Sequence, residues 1–142
     1  MSGTSSNSID SEQSGQVASA ISNGAVKLLR DYTGRGPTKT RTYINSDYIS
    51  VVMYDTLTKG ERSLVGDGRR ELVLASRKAY QETMRPHLIE MVEQLTGRKV
   101  VAFLSDNHLD PDIAVEFFVL ERLEGDGDGR EIDPLISADA TI

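Results

Sequence analysis

The sequence predicts an α+β fold in the order α-ββ-α-ββ: a four-stranded, mainly antiparallel sheet packed with two principal helices. Two long segments repeat apolar residues at three- and four-residue steps, which is typical of amphipathic helices. Each is followed by a pair of short segments rich in β-branched and aromatic residues, which is typical of strands. At 142 residues, the chain has the length of one domain.

The first half of the chain predicts a helix and a hairpin. Apolar residues recur with helical spacing over residues 17–32, and Gly34 follows as a stop signal. The β-branched and aromatic run of residues 41–54 is divided by the polar turn cluster Asn45-Ser46-Asp47. We therefore expect two antiparallel strands after the first helix.

The second half begins with a helix signal. Thr58 and Glu61 have the spacing of a capping box, and Gly66 and Gly68 interrupt the short helix that it opens. A long helix is then predicted from Arg69 to about Leu95, with Gly97 closing it and Pro86 kinking or splitting it. Its predicted buried stripe consists of Leu72, Ser76, Tyr80, Met84, Leu88, Met91 and Leu95.

The last two strands are predicted over residues 98–105 and 113–122, joined by the loop LSDNHLDPD of residues 104–112. In the final strand Val115 and Phe117 point to one face and Phe118 to the other, while Glu116 is expected in water. Since both faces of this strand are apolar, both need partial cover, either from helices or from a second subunit, and we expect a homodimer.

Composition limits the class of protein. There is no cysteine, which excludes disulfides, thiolate zinc sites and a cysteine nucleophile. No apolar run is long enough for a membrane span, so we expect a cytoplasmic protein without direct membrane insertion. The small polar residues 1–14 and the acidic residues 124–142 are predicted to be disordered, leaving 15–123 as the domain.

The charge distribution argues against nucleic-acid binding. The net charge of -6 resides in the two ends, and residues 15–123 are nearly neutral. Nucleic-acid binding requires a concentrated basic face. We therefore expect no nucleic-acid partner.

The loop of residues 104–112 is the first candidate site. It carries Asp106, His108, Asp110 and Asp112, whose oxygen and imidazole ligands suit a divalent cation. The same residues also suit a polar turn fixed by Pro111, or a loop that contacts a partner. The spacing does not match an EF-hand, and we predict no metal.

The second candidate is basic. Arg35, Lys39 and Arg41 alternate with glycine and threonine, and could surround a small anion or an acidic partner. The alternative is a helix cap followed by an edge strand whose basic side chains face water. The spacing is not that of a P-loop.

A third basic candidate lies at the start of the long helix. Arg69 and Arg70 are cations at a helix N-terminus, where they oppose the helix dipole unless an acidic ligand is bound. The alternative is a solvated pair satisfied by Glu71 or by the acidic loop.

Several of these segments, in this order, resemble the MpsC-like family. They are Gly34–Ile44, Thr58–Arg69, Glu93–Val100 and Leu104–Asp112, the last followed by Ile113–Val119. The family is named for a proposed subunit of a sodium-translocating, membrane-potential-generating system. The resemblance implies a soluble protein or module associated with a membrane ion or bicarbonate transport system, and it supplies no catalytic residues.

Together these observations predict a non-enzymatic accessory or regulatory module without a cofactor. It would bind a small anion or a partner protein, such as a membrane transport protein, through its basic and acidic loops. The alternative is a small metal-dependent enzyme acting on a phosphorylated or carboxylated substrate, with the cation in the acidic loop. No Ser-His-Asp or paired-carboxylate arrangement follows from the spacing.

Overall fold

The computed structural model describes residues 2–123. Its element order confirms the predicted α-ββ-α-ββ arrangement, with one short helix between the second strand and the long helix. The elements are α1 (Ser2–Thr33), β1 (Lys39–Ile44), β2 (Tyr48–Tyr54), α2 (Lys59–Gly66), α3 (Arg70–Thr96), β3 (Val100–His108) and β4 (Ile113–Leu120).

The four strands form one sheet in the order β1-β2-β4-β3, and all three pairings are antiparallel. Helices α1 and α3 pack on one face of the sheet. The core between them is apolar because each strand directs every second side chain toward the helices. Its members include Ile21, Leu29, Ile49, Met53, Leu88 and Phe118.

The ends of the helices follow the predicted signals. Thr58 and Glu61 form the capping box at the start of α2. Gly34 and Gly97 have φ angles of 82° and 70°, and each follows the last residue of a helix. Glycine adopts this left-handed conformation without the clash that a Cβ would cause, which is why both helices end there.

Helix α1 begins at Ser2, within the segment 1–14 whose disorder was predicted from composition and stays a prediction. Those residues have few apolar side chains, so they show no helical periodicity. An established helix extends at one backbone hydrogen bond per added residue, without the cost of nucleation. The predicted acidic tail, 124–142, lies outside the described residues.

The buried stripe of α3 differs from the prediction in its first half. Leu72 and Tyr80 are 51% and 36% exposed, whereas Val73, Arg77 and Gln81 are buried. The stripe is displaced by one residue because two of its positions hold polar side chains, which an apolar pattern cannot detect. Later in the helix Met84 and Leu88 are buried as predicted, whereas Leu95 is 38% exposed.

Pro86 does not divide the long helix, since α3 continues from Arg70 to Thr96.

Among the helices of residues 2–123, none combines the length and the apolar composition that a bilayer crossing requires.

Two predictions about the last strands are wrong. Strand β3 continues to His108, so the turn between β3 and β4 is residues 109–112 and not the whole of 104–112. Glu116 is not in water: its side chain lies on the helix-covered face of β4 and is 2% exposed. The strict alternation along β4 forces it inward, between Ala114 and Phe118.

The opposite side of the sheet, which we call the outer face, is uncovered within residues 2–123. Tyr43 and Leu104 on this face are 47% and 58% exposed. Tyr48 and Phe117 stack there with ring centroids 5.0 Å apart. The sequence predicted that both faces of the sheet need cover. Within residues 2–123, the chain covers only one of them.

The corrected stripe of α3 can be tested with two adjacent residues. Val73→Ala is expected to lower the free energy of unfolding by roughly 2 kcal/mol, because it opens a cavity in the core. Leu72→Ala is expected to change it by less than about 0.5 kcal/mol, because that side chain is half exposed. Urea denaturation measures both, and a larger loss for Leu72→Ala would contradict the register.

Candidate functional site

Three connecting segments meet at one end of the sheet. They are the α1–β1 connection (34–38), the β2–α2 connection (55–58) and the β3–β4 turn (109–112). The Asp55 amide donates to the Asp112 carbonyl at 2.9 Å. The Arg35 guanidinium donates to the Asp55 carboxylate at 2.7 Å. The predicted basic and acidic segments are thus joined through Asp55.

Asp112 holds the β2–α2 connection in place. Its carboxylate accepts from the Thr56 hydroxyl at 3.1 Å and from the Leu57 amide at 2.9 Å. The Arg62 guanidinium lies 3.8 Å away. A carboxylate with these partners acts as a fixed acceptor within the fold. This residue of the acidic loop therefore has a structural role.

Asp55 is a second fixed acceptor, held between two guanidinium groups. It makes ion pairs with Arg35 and Arg62. Its backbone has φ of 61°, a left-handed conformation that aspartate tolerates better than most residues. The negative charge that Arg35 was predicted to attract from a ligand is thus supplied by the chain itself.

Arg77 is a buried cation that sequence reasoning missed. It is 2% exposed; its Nη2 donates to Thr56 Oγ1 at 2.7 Å, and its Nε lies 3.4 Å from Glu61 Oε2. Glu61 also accepts from the Thr58 amide in the capping box of α2. Val73, Arg77 and the later buried residues of α3 recur with helical spacing. The presence of an arginine at one of these positions is the feature of the sequence that could have identified it.

Glu116 is the second buried ionisable group that was missed. It lies opposite Ser105 in the pairing of β3 with β4. Burial raises the pKa of its carboxyl group to about 7, while the Ser105 hydroxyl and Arg77 oppose that rise. Ser105 is near enough to attract the carboxylate, but neither Ser105 Oγ nor Glu116 Oε1 makes a well-formed hydrogen bond within residues 2–123. This group can gain or lose a proton near neutral pH.

A cleft of about 280 Å³ lies between α3 and β3, next to Ser105. Its lining includes Ser105, with Lys78 and Arg85 contributed by the helix. The Arg85 guanidinium lies 5.4 Å from the centroid of the Phe103 ring, so this cation packs on the wall of the cleft.

The remaining acidic-loop candidates do not converge with Asp112. Asp106 and His108 are exposed on the outer face of β3, and Asp110 is exposed in the turn. The His108 Nδ1 lies 2.8 Å from the Pro111 carbonyl, which fits a ring nitrogen that donates to it. Within the described part of the chain, no three carboxylate or histidine groups are arranged to hold a metal ion.

The basic candidates also separate. Lys39 and Arg41 are exposed on the outer face of β1, and the Lys39 amine lies 5.4 Å from the centroid of the Tyr54 ring. Arg69 pairs with Asp67 at 3.5 Å, and not with Glu71 or the acidic loop. Arg70 is exposed at the start of α3. The five cations therefore do not surround one anion.

Comparisons with known proteins agree with the resemblance drawn from the sequence. Residues 13–122 match the model of the family described as "Na+-translocating membrane potential-generating system (MpsC)". An uncharacterized protein of Bacillus subtilis (strain 168), YrhF, is 30% identical over 98 residues, which are 68% of this chain and 80% of the relative. No solved structure matches the chain.

The raised pKa of Glu116 predicts a specific pH dependence. The folded-state pKa of about 7 lies above the ordinary value of 4.5, so the stability that the neutral carboxyl contributes is complete below pH 4.5 and is lost as the pH rises through 7. Glu116→Gln is expected to remove this loss. Near pH 8, urea denaturation should find the variant more stable by roughly 3 kcal/mol, with little difference near pH 4.

Glu121→Gln is the matched control, because the Glu121 side chain is exposed directly after the end of the same strand. Its stability should follow that of the wild type at every pH. Parallel pH profiles for wild type and Glu116→Gln would show that Glu116 ionises as it does in water.

The structural role of Asp112 predicts a loss of stability that is independent of metal. Asp112→Ala leaves the Leu57 amide and the Thr56 hydroxyl without their acceptor, and is expected to cost roughly 2 kcal/mol. Asp110→Ala, two residues away and exposed, should cost less than about 0.5 kcal/mol. Denaturation with and without a chelator measures both, and a loss that appears only in the presence of divalent metal would contradict this role.

Proposed function

Because this chain belongs to the MpsC family, we propose that it is a non-enzymatic accessory or regulatory module of a membrane ion-transport system. It acts by binding a protein through the outer face of its sheet. The observation that carries the proposal is the exposure of Tyr43 and Leu104 on that face, with the Phe117 ring half-buried between them. Contiguous exposed apolar surface of this kind is typical of protein association sites.

The composition of the outer face supports a protein as the ligand. Association surfaces combine an apolar, aromatic-rich centre with a polar rim. Tyr48 and Phe117 lie on the two central strands, while Lys39, Arg41 and Asp106 lie on the two edge strands. A small anion suits this face less well, since its centre offers no cation.

The family description suggests the setting of the module. We propose that it works on the cytoplasmic side of a sodium-translocating system that generates membrane potential, and that it is a homodimer there. In this proposal the ion pairs of Arg35 and Arg77 and the hydrogen bonds of Asp112 maintain the fold. The outer face makes the functional contacts.

The proposal predicts that a charge on the outer face abolishes function without unfolding the domain. In a strain of the source organism that lacks the gene, Phe117→Glu is expected to restore less than about a tenth of the sodium-dependent membrane potential restored by the wild type. A potential-sensitive dye in energised membrane vesicles measures this. Circular dichroism of the purified variant establishes that it is folded.

Leu72→Glu is the matched control, because Leu72 is an exposed apolar residue on α3, away from the outer face. It should restore the full potential. Equal restoration by both variants, or no effect of deleting the gene on the potential, would refute the proposal.

A further inference from the structure

We propose that the outer face binds a second copy of this chain, in a two-fold arrangement whose axis runs parallel to the strands between β2 and β4. The inference rests on the proposed use of the outer face as an association surface, and it specifies the partner and the geometry. In this dimer Arg41 of each copy forms an ion pair with Asp106 of the other.

The register of the sheet aligns one residue from each strand in a row across the sheet, and one such row has opposite charges at its two ends. Arg41 on β1 pairs with Val52 on β2, Val52 pairs with Val115 on β4, and Val115 pairs with Asp106 on β3. All four side chains point to the outer face, since directly paired residues share a face. The row is therefore basic at one edge, apolar in the middle and acidic at the other edge.

A two-fold axis parallel to the strands makes this row complementary to itself. The rotation places β1 of one copy over β3 of the other. It leaves the position of each residue along the strand direction unchanged. Arg41 then lies above Asp106 of the second copy, and the reciprocal pair forms on the other side. Val52 and Val115 face each other in the centre. Two sheets that pack in this way are about 10 Å apart, within the combined reach of arginine and aspartate side chains.

In the neighbouring row of paired residues, the same rotation places large side chains of one copy over smaller ones of the other. It consists of Tyr43, Ser50, Phe117 and Leu104, in order across the sheet. The rotation sets the large Phe117 ring above the small Ser50, and Tyr43 above Leu104 of the second copy. Those last two are the most exposed aromatic residue and the most exposed leucine of residues 2–123. The dimer would cover both.

Other symmetric arrangements lack this complementarity. An axis in the plane of the sheet but perpendicular to the strands places β1 over β1 and β3 over β3, so that Arg41 of one copy cannot reach Asp106 of the other. Pairing through an edge strand leaves the outer face exposed. Arg41 and Asp106 are exposed and make no ion pair with another residue of 2–123, so both charges are available to a second copy.

Charge reversal tests the geometry. Arg41→Glu and Asp106→Arg each place two like-charged pairs at the interface, and each is expected to raise the dimer dissociation constant by at least about tenfold. The double variant Arg41→Glu/Asp106→Arg restores both attractions and should dimerise like the wild type. Analytical ultracentrifugation over a concentration series measures all four proteins.

Mixing the two single variants gives a sharper result. One copy then carries two acids at these positions and the other carries two bases, so both ion pairs in the mixed dimer are attractive. We expect an equimolar mixture to form heterodimers although each variant alone is mainly monomeric. The double variant Arg70→Glu/Asp31→Arg has the same altered charges away from the outer face and should leave dimerisation unchanged.

A wild type that stays monomeric, a dimer indifferent to the reversals, or a double variant and mixture that fail to recover would overturn this inference. If Phe117→Glu nevertheless loses function in the membrane-potential assay, another protein occupies the outer face, and the proposed accessory role stands although this dimer does not. If the reversals behave as expected while Phe117→Glu retains function, the dimer stands and the proposed function fails.

Discussion

The hydroxyl group of Thr56 joins three segments of the chain at one end of the sheet, and the structure of that end depends on this junction. It is 1% exposed, accepts from the buried Arg77 guanidinium and donates to the Asp112 carboxylate. It therefore connects α3, the β2–α2 connection and the β3–β4 turn, which are distant in sequence. A hydroxyl can do this because it is both donor and acceptor, which neither charged group is in its ionised form.

The junction explains why so much charge is tolerated in a small core. A buried guanidinium is costly unless it is paired, and Arg77 donates to Thr56 and forms an ion pair with Glu61, although its Nε makes no well-formed hydrogen bond within residues 2–123. Burial raises the pKa of the Glu116 carboxyl to about 7, and its Oε1 makes no well-formed hydrogen bond within residues 2–123. Arg77 and Glu116 thus differ in kind. One is fixed by its partners, and the other remains free to exchange a proton.

Features governed by local sequence were predictable. The hairpin turn, the capping box at Thr58 and the glycine helix ends depend on a few adjacent residues, and the structure contains them all. The resemblance of several ordered segments also identified the family correctly.

The errors have a common physical origin, because they concern polar groups whose partners lie far along the chain. Glu116 was expected in water since carboxylates usually are, and Arg77 was overlooked for the same reason. The acidic loop was judged as a unit, but the alternation of β3 sends Asp106 outward while Asp112 bonds inward. Charge and spacing identified these residues as unusual without revealing what they contact.

The position of Glu116 on a central strand has a thermodynamic consequence for any ligand of the domain. Its neighbours Val115 and Phe117 belong to the outer face, while the carboxyl itself lies in the core. A ligand that prefers either the protonated or the ionised form must shift proton affinity when it binds, and pH must shift the affinity for that ligand by the same factor. Proton uptake or release on binding, measured as the dependence of binding heat on buffer ionisation, would report this reciprocity directly.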